Sequence, residues 1–145
     1  MLQPRIAGKA IDFATVSYVA DEFSTSLTAA AIRVVELSAL PAMLVCTERY
    51  RRRWFVKSKD VPSWLWPRAT PTTDSVARDL FATNEKRGAA TVVADAWFDH
   101  AESERYELAE DARRLGDYVL SLLSWPNEDH LVALHNGTIH IPYSR

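Results

Sequence analysis

Apolar residues recur at helical spacing in two segments near the start of the chain. The first segment predicts a helix over residues 7–23, and the second predicts a helix that begins after Ser26, a good N-cap, and cannot continue beyond Pro41. The two predicted apolar faces are Phe13, Val16, Ala20 and Phe23, and Leu27, Ala30, Ala31, Val34 and Leu37. The short break between them is typical of a helix-turn-helix layout.

The pattern then changes to one typical of strands. Residues 42–46 are all apolar, and residues 53–57 are rich in aromatic and β-branched side chains. We expect a β-hairpin that turns at residues 48–52. Trp54 and Phe55 point to opposite sides of the second strand, which we place centrally in the sheet, so both should be largely buried.

A proline-rich segment, residues 58–73, follows the hairpin and is predicted to be a loop. It carries Trp64, Leu65 and Trp66. One interpretation is a lid that closes the core, and the alternative is one wall of a ligand pocket. In that alternative Trp54, Trp64 and Trp66 line the pocket.

The second half of the chain predicts one more helix and several strands. Thr73 should cap a short helix that ends at residues 84–88 and turns Val76, Leu80 and Phe81 inward. Strands are expected at residues 90–97, near 106–109 and at 118–125, with a turn at Gly116. A last hairpin is expected around Asn136 and Gly137.

Together these elements predict an α+β fold, with the N-terminal helical pair packed on a mainly antiparallel β-sheet that has one or two flanking helices. We divide the chain into a helical pair at residues 1–40 and an α+β domain at residues 41–145. The length of 145 residues with 48% hydrophobic residues is enough for a substantial core.

Composition narrows the class of protein further. The N-terminus has no apolar signal segment and no apolar run is long enough to span a membrane, so we expect a cytoplasmic protein without a membrane partner. The single cysteine, Cys46, lies in the most apolar strand and is expected to be a buried thiol. Residues 1–68 carry a net charge of +4 and residues 69–145 a net charge of −6. This asymmetry indicates an unevenly charged surface or a surface that orients a partner.

No complete catalytic or metal-binding constellation is apparent. The acidic tract over residues 95–111 has no recognisable ligand spacing, and a solvated loop with an amphipathic edge strand explains it better than a metal site. His130, His135 and His140 surround the predicted last hairpin, but we interpret them as surface histidines. We therefore predict no catalytic residue, no metal ligand and no cofactor in this chain.

A basic run at the first hairpin raises a DNA-binding alternative. Arg49, Arg51, Arg52 and Arg53 form a candidate contact patch for phosphates, and residues 11–57 would make a winged-helix regulator. The second helix is a poor recognition helix, because only Arg33 outside its apolar face can donate to a base or phosphate. Nucleic acid is therefore the less favoured partner.

Five short segments resemble the C-terminal portion of the ImmA/IrrE-family zinc metallo-endopeptidases. Residues 1–5, Met-Leu-Gln-Pro-Arg, are similar to the family's Leu-Leu-Met-Pro segment, from which Met1 and Gln3 depart. Phe-Ser-Thr-Ser at residues 23–26, with Ala29 and Arg33, resembles its Phe-Gly-Val-Ser-x-x-Ala-x-x-x-Arg segment. The other three are Arg-Trp-Phe-Val-Lys-Ser at 53–58, Ala-Asp-Ala-Trp at 94–97 and Leu-Leu-Ser-Trp-Pro at 122–126.

The resemblance implies a noncatalytic regulatory or sensor region of a bacterial stress-response regulator, with a GAF-like domain. The family's His-Glu-x-x-His zinc motif is absent from this sequence, so no catalytic residue carries over. Zinc is expected only in a peptidase domain, which would lie upstream or act in trans as the partner. A small molecule is the other expected partner, and the oligomeric state is left open.

Overall fold

The computed structural model describes residues 11–126, which form three helices and five strands joined in one sheet. The helices are α1 (Phe13–Glu22), α2 (Leu27–Glu36) and α3 (Val76–Thr83). The strands are β1 (Ala42–Glu48), β2 (Arg51–Lys57), β3 (Arg87–Val93), β4 (Glu107–Leu115) and β5 (Tyr118–Ser124). Two 3₁₀ turns, Ala94–Ala96 and Ser103–Arg105, lie between β3 and β4.

The helical pair begins and ends at local capping signals. Asp12 accepts a hydrogen bond from the backbone N–H of Thr15, and Ser26 accepts one from that of Ala29, as predicted for Ser26. The helices end earlier than predicted, at Glu22 and Glu36, so Phe23 and Leu37 become exposed C-caps instead of core residues. Their places in the core are taken by Val19 and by Val35.

All neighbouring strands of the sheet are antiparallel, in the order β2-β1-β5-β4-β3. The predicted β1–β2 and β4–β5 hairpins are both present. Arg49 and Tyr50 make the first turn, both with positive φ, and Gly116 with Asp117 makes the second, with Gly116 at a φ of 66°. Positive φ at both central positions is the geometry that matches the twist of a two-residue hairpin.

The expectation that β2 is a central strand is wrong, because β2 is an edge strand and β1 and β5 lie inside the sheet. Trp54 and Phe55 do pack on opposite faces, but both are only half-buried. The acidic strand β4, expected at an edge, instead pairs with β5 on one side and β3 on the other. Strand order depends on long-range pairing, which local alternation does not encode.

Two boundaries in the second half also differ from expectation. Ser75 caps α3 in place of Thr73, accepting a hydrogen bond from the backbone N–H of Arg78. The strand predicted at residues 90–97 is β3 at Arg87–Val93, and a 3₁₀ turn then carries the chain to the buried Trp97. α3 packs closely on β3 at Gly88, where an added Cβ would lie 3.0 Å from Val76 Cγ1.

The sheet separates two apolar clusters. The helix-pair face holds Leu44, Cys46, Leu120 and Leu122 of the sheet against α1 and α2. The opposite face packs Met43, Val45, Leu108 and Leu123 against α3, the proline-rich loop and the segment that contains Trp97 and Phe98. The fold is therefore α+β, with the N-terminal helices on the sheet as the sequence predicts. The expected hairpin at residues 131–143, the first five residues and the tail histidines lie outside the described residues.

Candidate functional site

A cavity of about 250 Å³ opens on the helix-pair face of the sheet, beside the first turn of α2. Its floor is one row of side chains across three strands, because Cys46 of β1 pairs with Trp54 of β2 and with Leu120 of β5. Tyr118 and Leu115, which face each other across the β4–β5 hairpin, form the outer rim. Thr28 of α2 completes the lining together with Arg53.

A β-bulge places Arg53 in this lining. The register shifts by one residue, since Cys46 opposes Trp54 but Thr47 opposes Arg52. The backbone of Arg53 therefore has no opposite residue on β1. A bulge interrupts the alternation of side chains and re-aims the extra residue. Consecutive residues, Arg53 and Trp54, therefore line the same cavity. Sequence periodicity did not predict this placement, because a regular strand would point the two residues to opposite faces.

The cavity combines apolar walls with a few polar groups. The Arg53 guanidinium bonds to Glu48 Oε1 at 2.6 Å, and its side chain is 57% exposed. At the floor, burial raises the pKa of the Cys46 thiol to about 11, and the nearby Arg53 only partly offsets the effect of burial. Cys46 is therefore a neutral thiol near pH 7, unlike the low-pKa thiolates that act as nucleophiles.

The structure does not bring together the three tryptophans that were expected to line one pocket. Trp54 packs on the helix-pair face and lines the cavity. Trp66 lies on the other face, with its ring centroid 5.2 Å from that of Phe55, and Trp64 lies 6.3 Å from the ring of His100. Both loop tryptophans are exposed, and the loop is anchored in the core by the buried Leu65.

The four arginines of the candidate basic patch also divide between different roles. Arg52 donates to the carbonyl of Pro67, and its guanidinium lies over the rings of Phe55 and Trp66. Arg53 is paired with Glu48, as described above. Arg49 is 3.9 Å from Asp117, in a pair with highly exposed side chains, and Arg51 is exposed. The run of arginines therefore does not present one face.

Sequence reasoning missed Glu110, which belongs to the acidic tract that was expected to be solvated. Glu110 is 1% exposed and accepts four hydrogen bonds. The donors are the backbone N–H groups of Val76 and Ala77, the indole of Trp97 and the hydroxyl of Ser121, at 2.8 to 3.1 Å. Burial raises the pKa of Glu110, and all four hydrogen bonds oppose that rise. Its role is to hold the start of α3 to the sheet.

A second polar cluster surrounds Ser103 and superficially resembles a catalytic arrangement. The Ser103 hydroxyl lies 3.0 Å from Asp95 Oδ1 and 2.9 Å from the backbone carbonyl of His100, and its single proton is shared between these two acceptors. The imidazole of His100 contacts the Tyr106 hydroxyl at 3.0 Å. Because the hydroxyl of Ser103 is bonded to the His100 backbone and not to its ring, this arrangement lacks the nucleophile–base contact of a hydrolase triad.

Asp95 is held in this cluster by Arg68, whose guanidinium donates to its carboxylate and to its backbone carbonyl, both at 2.7 Å. Burial raises the pKa of Tyr106 to about 12, so its hydroxyl stays protonated near pH 7. The cluster therefore fixes the chain between β3 and β4.

Across residues 11–126, no group of three or more His, Cys, Asp or Glu side chains is arranged to hold a metal ion. Within the same residues, none of the helices has the length and apolar character needed to cross a membrane. The cavity beside α2 is the candidate site that the described geometry favours, since it joins a concave apolar surface to a few polar groups. No protein-family model matches the chain, and no curated protein matches its sequence.

Proposed function

We propose that this chain is a noncatalytic sensor module that binds a small molecule in the cavity beside α2. The observation that carries the proposal is the cavity itself, in which Trp54 and Tyr118 supply aromatic surface and Arg53 and Thr28 supply hydrogen-bonding groups. Ligand sites of proteins combine concave apolar walls with a small number of polar groups in this way.

The position of the cavity supports a sensing role. Its lining comes from α2, from the edge strand β2 and from the internal strands β1 and β5. A ligand that contacts all of these elements binds the arrangement seen here more tightly than one in which they have moved apart. It therefore stabilises the arrangement seen here. A bound molecule would therefore bias how the helical pair sits on the sheet.

The proposed role as a regulator of a zinc peptidase domain in the bacterial cytoplasm rests on the sequence resemblance. In that role the peptidase domain supplies the zinc and the catalytic residues, and this chain supplies the ligand-dependent control. The exposed C-caps of the helical pair, Phe23 and Leu37, are apolar contact points that a partner domain would cover.

Binding can be tested by NMR with a collection of one- and two-ring aromatic fragments. The indole N–H signals report on each tryptophan, and Trp54→Phe assigns the signal of Trp54. We expect fragments that bind to shift the Trp54 signal while the signal of Trp97, buried on the other face, stays unchanged. If no fragment shifts the Trp54 signal at millimolar concentration, the cavity is not a ligand site and the proposal is wrong.

The winged-helix alternative over residues 11–57 stays a separate prediction. The exposed Arg49 and Arg51 are its remaining candidate phosphate contacts. Binding to duplex DNA that weakens steeply as salt is raised would support it, because phosphate contacts release counterions. The variant Arg49→Gln with Arg51→Gln should then reduce that salt dependence.

A further inference from the structure

The chemistry of the cavity narrows the class of ligand, if the proposed binding function is correct. We infer that the cavity takes a small aromatic carboxylate, with the ring against Trp54 and the carboxylate on Arg53. This inference rests on the proposed function and adds to it the size, the ring and the charge of the ligand.

The size of the cavity sets the first limit. A buried cavity of ~150 Å³ holds one benzene ring, so a volume of about 250 Å³ suits a molecule with one or two rings. The floor is apolar along Cys46 and Leu120, both nearly fully buried. Such a floor favours a ring system over a sugar or another highly hydrated ligand, because buried hydroxyls without partners are costly.

Aromatic surface on two sides of that floor favours a planar ligand. Trp54 stands on β2 and Tyr118 on β5, with β1 between them. Neighbouring strands are about 4.8 Å apart, and Tyr118 lies two residues along β5 from Leu120, which is in register with Trp54, so the two side chains start about 12 Å apart. A flat ring between them contacts the indole by stacking or edge-on, geometries that aromatic pairs prefer.

The guanidinium of Arg53 then selects the polar group of the ligand. Its hydrogen bond to Glu48 uses Nη1, which leaves the Nε–Nη2 edge for a second acceptor. A carboxylate fits that edge with two parallel hydrogen bonds, whereas a carboxamide offers one acceptor oxygen and an NH₂ group that cannot accept. Because Glu48 partly neutralises Arg53, we expect a modest affinity. The bidentate geometry, rather than the net charge, then distinguishes a carboxylate from a carboxamide.

A matched pair of probes, indole-3-acetate and indole-3-acetamide, tests the inference. Both carry the same ring and differ in the carboxylate. We expect the acid to shift the Trp54 indole signal in NMR titrations and to bind about tenfold more tightly than the amide. Arg53→Gln should remove that difference, while Arg51→Gln, which changes an exposed arginine of the same strand outside the cavity, should preserve it.

The outcomes separate this inference from the proposed function. Equal binding of acid and amide at Trp54 overturns the carboxylate assignment and leaves the cavity as a ligand site. An acid preference that persists in Arg53→Gln overturns the role of Arg53. If neither probe shifts the Trp54 signal at millimolar concentration while aromatic fragments without a carboxylate do, the cavity takes a ring but not an aromatic carboxylate, and the inference is overturned. If no fragment does, the binding function fails with it.

Discussion

One carboxyl group, that of Glu110, joins three elements of the fold. Its oxygens take the first two N–H groups of α3, the indole that follows β3 and a hydroxyl of β5. A helix N-terminus leaves its first N–H groups without intrahelical partners and favours a negative charge nearby. Glu110 satisfies two of these donors from a strand that is distant in sequence, and so fixes α3 on the sheet.

Replacing Glu110 with alanine should therefore destabilise the protein strongly. The change leaves four donors without their acceptor, and each buried unsatisfied donor costs about 1 to 3 kcal/mol unless water reaches it. We expect a loss of at least about 3 kcal/mol in the free energy of unfolding, measured by urea denaturation. Glu107→Ala, an exposed position of the same strand, should change it by less than about 0.5 kcal/mol. Similar midpoints for the two variants would contradict the assigned role of Glu110.

The buried thiol of Cys46 makes the stability of the protein depend on pH. Burial raises its pKa from 9.0 to about 11, so between these values the folded state holds a proton that the unfolded state releases. The free energy of unfolding should then fall as pH rises from 9 to 11, by at most about 2 to 3 kcal/mol. Stability curves against pH for the wild type and Cys46→Ala should converge or cross over this window, because the variant lacks this titration. Parallel curves would show that the thiol titrates normally.

At the scale of elements, local signals predict local structure well. Ser26 caps α2 because its hydroxyl needs only the next helical turn, and the apolar runs around residues 48–52 and Gly116 form hairpins because their turns are short. Such features depend on residues within a few positions of one another. The sequence pattern therefore predicted the elements and both hairpins.

The features that the sequence pattern did not predict depend on how strands and helices pair in the folded chain. The edge position of β2 follows from the pairing of β1 with β5, which lies about seventy residues later in the chain. The burial of Glu110 follows from α3, 33 and 34 residues earlier. The placement of Arg53 in the cavity follows from a single register shift. A run of acidic or basic residues has the same appearance in sequence whether one member is buried or all are solvated.

The β1–β2 turn offers a stability test at this scale. Arg49 and Tyr50 have φ values of 51° and 73°, in the left-handed region that ordinary L-residues adopt at a cost of about 1 to 2 kcal/mol. Asparagine tolerates this region better, so Arg49→Asn should raise the free energy of unfolding by about 0.5 kcal/mol or more. The exposed pair with Asp117, at 3.9 Å, contributes little against this gain.

Thermal denaturation measures this effect, with Arg51→Asn as the matched control. That variant removes the same charge from a strand position, where asparagine is disfavoured, and should lower the melting temperature slightly. If Arg49→Asn also lowers it, the turn does not store the backbone strain that its φ values indicate.

At the scale of the whole molecule, the sheet has one apolar cluster packed on each of its faces. The internal strands β1 and β5 contribute side chains to both clusters, so neither cluster is complete without the sheet. The helix-pair face also carries the cavity, beside the first turn of α2. The proposed ligand site and the packing of the helical pair therefore share two side chains, Trp54 and Leu120.

The division at residue 40 is testable on this basis, and the packing leads us to expect that residues 41–145 do not fold stably alone. A chain that begins at residue 41 would expose Leu44, Cys46, Leu120 and Leu122, which α1 and α2 cover in the full chain. Burial of one large apolar side chain contributes about 1.5 to 3 kcal/mol. Exposing these side chains would therefore remove a large share of the free energy of unfolding, which is typically about 5 to 15 kcal/mol.

We expect the shortened chain to lose cooperative thermal unfolding, followed by circular dichroism, and to bind a hydrophobic dye that the full chain does not. A variant of the full chain, Phe13→Ala, supplies the matched control, because Phe13 of α1 is completely buried in the cluster between the helical pair and the sheet, and every element remains present in the variant. It should unfold in a single transition at a lower temperature, with far-UV ellipticity and tryptophan fluorescence changing together, as for one cooperative unit. A cooperative transition of residues 41–145 at the temperature of the full chain would instead show that the sheet with α3 is an autonomous domain and that the helical pair is an appendage.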